Sequence, residues 1–181
     1  MSNDRFLPGR LSPHISRRAG LVGVLTLPAV CLGIGVPGRA SAAGPVVLTV
    51  SGRTRDGMPL DFDMAALAAL PQHGIVSMTP WYSQARRCTG PLLRDVLTAA
   101  GAPAQATRLR LTALNDSRID IPMTDVRRYD VILARLLDGQ PMTVRDKGPL
   151  FVMYPFDAHR ELRSAVHYNR AIWQLRSLEA L

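Results

Sequence analysis

Cysteine is nearly absent from this chain of 181 residues, and so is lysine. The two cysteines are Cys31 and Cys88. Cys31 lies in a segment read below as a removable leader, so one thiol remains and no internal disulfide can form. A lone thiol is ordinarily a small buried hydrophobe. Lys147 is the sole lysine among 22 basic residues. Arginine forks suit phosphate and carboxylate recognition, but a GC-rich genome gives the same bias. There is also no long apolar run: residues 19–36 are uncharged yet short and broken by Gly and Pro, which excludes a stable membrane span there. Catalytic signatures are missing as well. No G-x-S-x-G occurs, so the hydrolase reading fails at its nucleophile. Outside the segment read below as leader, no G-x-x-x-x-G-K or G-x-G-x-x-G occurs to cradle a phosphate. His159, Glu161 and His167 match no zinc spacing, and nothing orients His73 against Cys88 as a thiol dyad. Repeats, low-complexity tracts and linkers are absent too.

What is present begins with a cationic start, Arg5, Arg10, Arg17 and Arg18 against Asp4, followed by a mildly apolar segment and Arg39-Ala40-Ser41-Ala42-Ala43. This is the layout of a cleaved export signal, with Ala40 and Ala42 at the −3 and −1 positions. Cleavage is expected after Ala42, with Ala43 the second choice. Ser16-Arg17-Arg18 before a weak apolar core resembles the twin-arginine signal, which carries folded proteins; an ordinary secretory leader holding two arginines is the plainer reading. Pro28 and Val30 fit lipidation at Cys31 badly. Residues 1–42 are thus read as leader and residues 43–181 as one periplasmic domain, large enough for one core. With five arginines and one aspartate in the leader, 17 basic and 13 acidic residues remain, and the net charge falls from +8 to about +4. That weakens any case for nucleic acid.

Periodicity predicts strands over 46–50 and 60–62 joined through Asp56-Gly57, and a short helix capped by Asp63 that ends before Pro71. It predicts a buried strand over 75–79, an irregular run over 80–90, and a helix over 91–100 with Pro91 at its first position and Gly101 as its stop. Alternating residues 108–113 turn at Asn115-Asp116 into Ile119 and Ile121. A single helical turn over 124–128, an apolar run over 131–137 and a hairpin at Asp138-Gly139 come next. A central strand over 150–154, a polar helix over 159–168 and a closing strand over 172–178 complete the reading.

Polar and aromatic groups gather at the strand ends: Thr79-Pro80-Trp81, Asn115-Asp116-Ser117-Arg118, Arg145-Asp146-Lys147-Gly148-Pro149, and Asn169-Arg170 through Trp173. Loops on a rigid sheet carry function in this way. Ordinary hairpin turns look the same, and Trp173 in a terminal strand reads as core. The order of Thr79-Pro80-Trp81, Gly90-x-Leu92-Leu93-Arg94-Asp95-Val96-Leu97, Leu114-Asn115-Asp116, Ile121-Pro122, Asp138-Gly139-Gln140-Pro141-Met142, Lys147-Gly148-Pro149-Leu150, Tyr154-Pro155 and Trp173-Gln174-Leu175 resembles the molybdopterin-binding domain of the sulfite oxidase-like family, in its small exported single-domain members.

That resemblance implies an α+β fold, a mixed curved β-sheet with short flanking helices, and a pterin or molybdopterin as cofactor. In the family's enzymes a cysteine at the end of an early strand ligates molybdenum; here that position falls on or near Thr79, whose hydroxyl is a hard, weak donor where the metal wants soft sulfur. The family's usual histidine-glycine is replaced by Lys147-Gly148, and its substrate-binding arginine has no clear counterpart. For a pterin, Trp81 would supply a flat wall, Asn115 and Asp116 edge hydrogen bonds, and Arg118, Arg145, Lys147 or Arg170 a phosphate contact. Asp116 with Arg118 also fits a local surface ion pair. The expectation is a non-catalytic periplasmic pterin sensor partnering a membrane signalling protein. The alternative is a molybdenum-dependent oxidoreductase subunit, and a scaffold that binds only protein is the third reading.

Overall fold

β-branched residues open the domain: Val46–Gly52 forms strand β1, burying Leu48 and Val50, and pairs antiparallel with β2, Leu60–Asp63. The computed structural model describes residues 44–54, 57–102 and 105–181. The chain divides into two units, Met1–Pro37 and Gly38–Leu181. The first, together with the predicted leader and its cleavage site, lies outside the described residues, and only the second is described below.

Asp63 caps helix α1, Met64–Ala69, as expected: its Oδ1 accepts from the Ala66 amide at 2.7 Å while Oδ2 accepts from Gly44. Strand β3 is Gln72–Ser77, two residues short of the predicted end at Thr79. Half of the predicted irregular run is in fact strand β4, Arg86–Pro91, antiparallel to β3. Its inward residues are Cys88 and Gly90. Gly90 carries no apolar side chain to reveal the period, and it is required: a methyl group there would lie 1.9 Å from the Leu133 carbonyl oxygen. Pro91 therefore ends a strand instead of starting a helix, and α2 runs Leu93–Ala99 with Leu93, Val96 and Leu97 buried. Gly101 stops it at φ +68°, as predicted.

Strands β5, Arg108–Ala113, and β6, Arg118–Pro122, form the expected hairpin. Helix α3, Met123–Arg128, follows. The apolar run 131–137 splits at Arg135 into β7, Ile132–Ala134, and β8, Leu136–Leu137, in different sheets. Arg135 is held at the break, its amide donating to Thr89 and its Nε to Gln72 Oε1. Asp138 and Gly139 then turn at positive φ into β9, Gln140–Pro141. Strand β10 is Phe151–Met153. The predicted polar helix over 159–168 is two pieces, a 3-10 turn Arg160–Leu162 and α4, Ala165–Arg170, separated at Arg163. The Arg163 guanidinium reaches back to the Phe156 carbonyl and Asp157 instead of continuing a helix face. The closing strand β11 begins later than predicted, at Leu175, and ends at Ala180.

Among the described residues the strands form three sheets: β2-β1-β11-β5-β6, β3-β4-β8-β9 and β10-β7. β1 and β11 are parallel and the other pairings antiparallel, so the arrangement is mixed, as expected, but spread over several sheets. Phe62, Phe151, Tyr154 and Phe156 are among the largest fully buried side chains. None of the described helices is long and apolar enough to cross a membrane.

Candidate functional site

The loop after β3 positions the site. Thr79 is 7 % exposed, and its Oγ1 is buried without a hydrogen-bond partner. Trp81 follows, half-buried, with four aromatic rings edge-on to it: Phe151 at 5.6 Å, Trp173 at 5.8 Å, Tyr168 at 6.0 Å and Phe156 at 6.2 Å. Edge-to-face packing of this kind fixes the indole in one orientation. On one side of it is a cavity of about 280 Å³. Asn115 and Ser117 from the β5–β6 turn, Tyr168 and Asn169 from α4, and Trp173 ahead of β11 line it together with apolar Ala113, Ile119, Ala171 and Ile172. A rigid indole wall with two amides and two hydroxyls around it suits a small, flat, hydrogen-bonding heterocycle.

Trp81 also lines a second cavity of about 440 Å³, with Tyr82, Ser83, Gln84, Arg86 and Asp138. The Tyr82 ring has Lys147 Nζ 4.8 Å and Arg86 Cζ 5.2 Å from its centre. Its Oη is buried and unpartnered, and burial, followed by the nearby Cys88, pushes the phenol up against the pull of Arg86. Lys147 Nζ is also 5.1 Å from the Trp173 ring, so one ammonium bridges Tyr82 and Trp173. The left-handed turn at Lys147, φ +73°, follows the 3-10 turn Val144–Asp146.

The other expected residues fall as follows. Asp116 takes positive φ in the turn and forms its ion pair with Arg176, not with Arg118. The strand register explains this: Arg118 lies opposite Thr112 on β5, while β11 pairs along the other edge of β5 and brings Arg176 to the turn. Arg118 and Arg145 are exposed, have no carboxylate partner among the described residues and line neither cavity. Arg170 is committed elsewhere: its Nη1 donates to buried Asp125 at 2.8 Å, and Tyr154 Oη donates to the same carboxylate at 3.1 Å. Burial, with Asp125 beside it, holds the Tyr154 phenol far above its ordinary value.

Tyr82, Ser117, Tyr168, Asn169 and Trp173 were not among the predicted ligands. Ser117, Asn169 and Trp173 lie in strand-end segments that the sequence singles out, whereas Tyr82 and Tyr168 carry no such signal. Cys88 pairs with Ile75, four residues before Thr79. It is fully buried, and burial, then Asp138, pushes its thiol up to about 11.

No family model matches the chain. No curated protein matches it either. Among solved structures it is similar to the sulfane dehydrogenase SoxCD from Paracoccus pantotrophus, with a TM-score of 0.53 and 19 % identity, covering 73 % of this chain and 37 % of that one. The fold is sulfite oxidase-like. The chain thus spans little more than a third of that neighbour's length, and the likeness speaks to architecture alone.

Proposed function

We propose that this protein is exported to the periplasm, binds a pterin in the Trp81 cavity without catalysing a reaction, and serves as the ligand-sensing partner of a membrane signalling protein. The observation that carries the reading is the juxtaposition around Trp81: an indole locked by four rings beside a cavity with Asn115 and Asn169 at its edge. Two buried hydroxyls, Thr79 Oγ1 and Tyr82 Oη, flank that indole in sequence with no partner of their own, Tyr82 lining the second cavity and neither lining the first. Buried polar atoms left unpaired are costly and call for a hydrogen-bonding occupant, water or ligand. These donors fit the organic part of a molybdopterin and do not fit its metal, because a threonine hydroxyl offers no soft sulfur and the Cys88 thiol lies in the core. The pterin would supply a flat heterocycle that recognition can read.

The test is elemental and fluorescence analysis of protein purified from its own periplasm, followed by titration of the stripped protein with a pterin. Metal-free pterin fluorescence at near-stoichiometric level supports the reading; no pterin and no binding would remove it. The likeness in fold to a sulfane dehydrogenase favours a second reading, a molybdenum-dependent oxidoreductase subunit. Wild type should contain much less than one molybdenum per chain after expression with an intact cofactor pathway. Stoichiometric molybdenum in wild type that disappears in Cys88→Ala would make Cys88 the ligand and the oxidoreductase reading correct.

A further inference from the structure

Among the described residues, the edges of the two larger sheets are blunted, with one exception. Edge strand β2 carries Asp61 and Asp63, edge strand β6 carries Arg118, Asp120 and Pro122, and edge strand β9 is two residues long and ends in Pro141. Charge, proline and short length keep other chains from pairing with an edge. Strand β3 is also an edge, six residues long, and holds no proline and no Asp, Glu, Lys or Arg.

The register identifies its free backbone groups. On β4 the Arg87 and Thr89 carbonyls accept from the Asp138 and Arg135 amides, so these two residues turn their backbone groups away from β3. Their partners on β3 are Val76 and Gly74. Such antiparallel pairs exchange no hydrogen bonds, and the N–H and C=O groups of Gly74 and Val76 therefore point out of the sheet. Among the described residues nothing pairs with them. Two residues on, the Met78 amide points the same way and donates to Asp157 Oδ2 at 2.9 Å. Asp157 also lines a cavity of about 270 Å³ with residues 73–76, Asp130, Ile132 and Pro155, which places that cavity along the open edge. A strand added there would lie ~4.8 Å from β3, with alternate side chains entering beside the buried Ile75 and Ile132.

Charge decides the occupant. The two carboxylates lining the cavity are already taken, Asp130 by Arg94 at 2.7 Å and Asp157 by Arg163 at 2.8 Å. On β4, Asp138 holds the Arg86 guanidinium and the Arg87 amide, one carboxylate beside two arginines. The cation left over is Arg87, whose guanidinium lies over Gly74: a methyl group at Gly74 would be 3.2 Å from its Nη1. Because residue 74 has no side chain, an arginine of β4 reaches across β3 to the open edge. A second copy pairing through its own β3 would bring another Arg87 and, from that strand, no carboxylate.

We propose that the free edge of β3 takes up an extended segment of a protein partner as an added strand, which hydrogen-bonds to the Gly74 and Val76 backbone, sets an Asp or Glu against Arg87 on the outer face and places an apolar side chain beside Ile75 and Ile132. Main-chain pairing of this kind supplies affinity while alternate side chains supply specificity. The inference names a surface for the partner half of the functional reading and is independent of the pterin.

The experiment uses the full chain in the cells that make it, with a photo-crosslinker in place of Val76, or of the exposed apolar Met58 or Val166 as controls. The expected result is one discrete protein adduct from Val76 and none from the controls. The crosslinked segment, mapped and synthesised as a peptide, should contain an Asp or Glu and should slow amide exchange at Gly74 and Val76 at least about tenfold when bound to protein purified from its own periplasm. Val76→Pro removes one outward N–H and spares the ladder to β4, so the thermal transition should persist while peptide affinity falls about tenfold. Arg87→Glu should weaken the peptide by a similar factor, and it tests the proposal even if the proline variant does not fold. The proposal is overturned by Gly74 and Val76 amides that exchange as slowly as that of Ile75 in the free protein, by adducts to a second copy, by equal adducts at the controls, by no adduct at Val76, or by a peptide indifferent to Arg87→Glu or to a folded Val76→Pro. Pterin titration separates the two readings. Arg87→Glu should bind pterin like wild type; wild type that forms the adduct but binds no pterin would sink the pterin reading and leave the open edge standing.

Discussion

Cys88 lies in register with Ile75 on one side and Leu137 on the other, and its thiol is pushed from an ordinary 9.0 to about 11. The folded state therefore keeps a proton between those values that the unfolded chain has lost. Stability is intact below pH 9 and declines as pH rises toward 11, by about 2 kcal/mol at pH 10.5. Urea midpoints at pH 8 and pH 10.5 should show this decline in wild type and a shallower one in Cys88→Ala. Asn169, exposed on α4, offers the cleanest probe of the cavity. Asn169→Ala should weaken pterin binding several-fold, with stability changed by less than about 0.5 kcal/mol. Trp81→Ala would remove an indole packed against four rings at about 3 kcal/mol, confounding affinity with unfolding, so Trp81→Phe is the useful variant. Trp81 and Asn115, which the sequence singled out, both line the cavity, although Asn115 also has a local use, accepting from the Ser117 amide within its turn. Arg170 was not readable as a structural residue, since its partner Asp125 is 45 positions away.

Elements whose period is written in apolar side chains were legible: the β5–β6 hairpin, the Asp63-capped α1, the buried face of α2. β4 was not, because one of its two inward positions is glycine and one of its two partner strands, β8, is distant in sequence. That glycine makes a strong test. Gly90→Ala would drive a methyl group into the Leu133 carbonyl and should abolish folding, read as loss of the cooperative thermal transition. The link between α3 and α4 is gentler. Asp125→Asn loses the ion pair to Arg170, which is partly solvated, so the cost should be about 2 kcal/mol, below that of a fully buried pair. Tyr168 and Asn169 sit on the element so loosened, and pterin affinity should fall together with the thermal midpoint.

At the scale of the molecule, length and the Ala40-Ser41-Ala42 signal predict a secreted domain. Arg17→Lys with Arg18→Lys should block export if the twin-arginine receptor reads both guanidinium groups; periplasmic levels equal to wild type would assign the chain to the general secretory route. The α+β class was legible from alternating strands and short helices, whereas the division into sheets was not, because it depends on which distant strand each edge meets. One such meeting is decisive. β11 is the middle strand of its sheet, between β1 and β5, and β1 pairs with it across more than a hundred residues. Before residues 175–180 have been synthesised, β1–β2 and β5–β6 are two isolated ribbons, each marginal in water. The sheet cannot close until β11 is in place between them. A chain truncated before Leu175 lacks this keystone, and its two ribbons should be cut by proteases that the intact sheet resists.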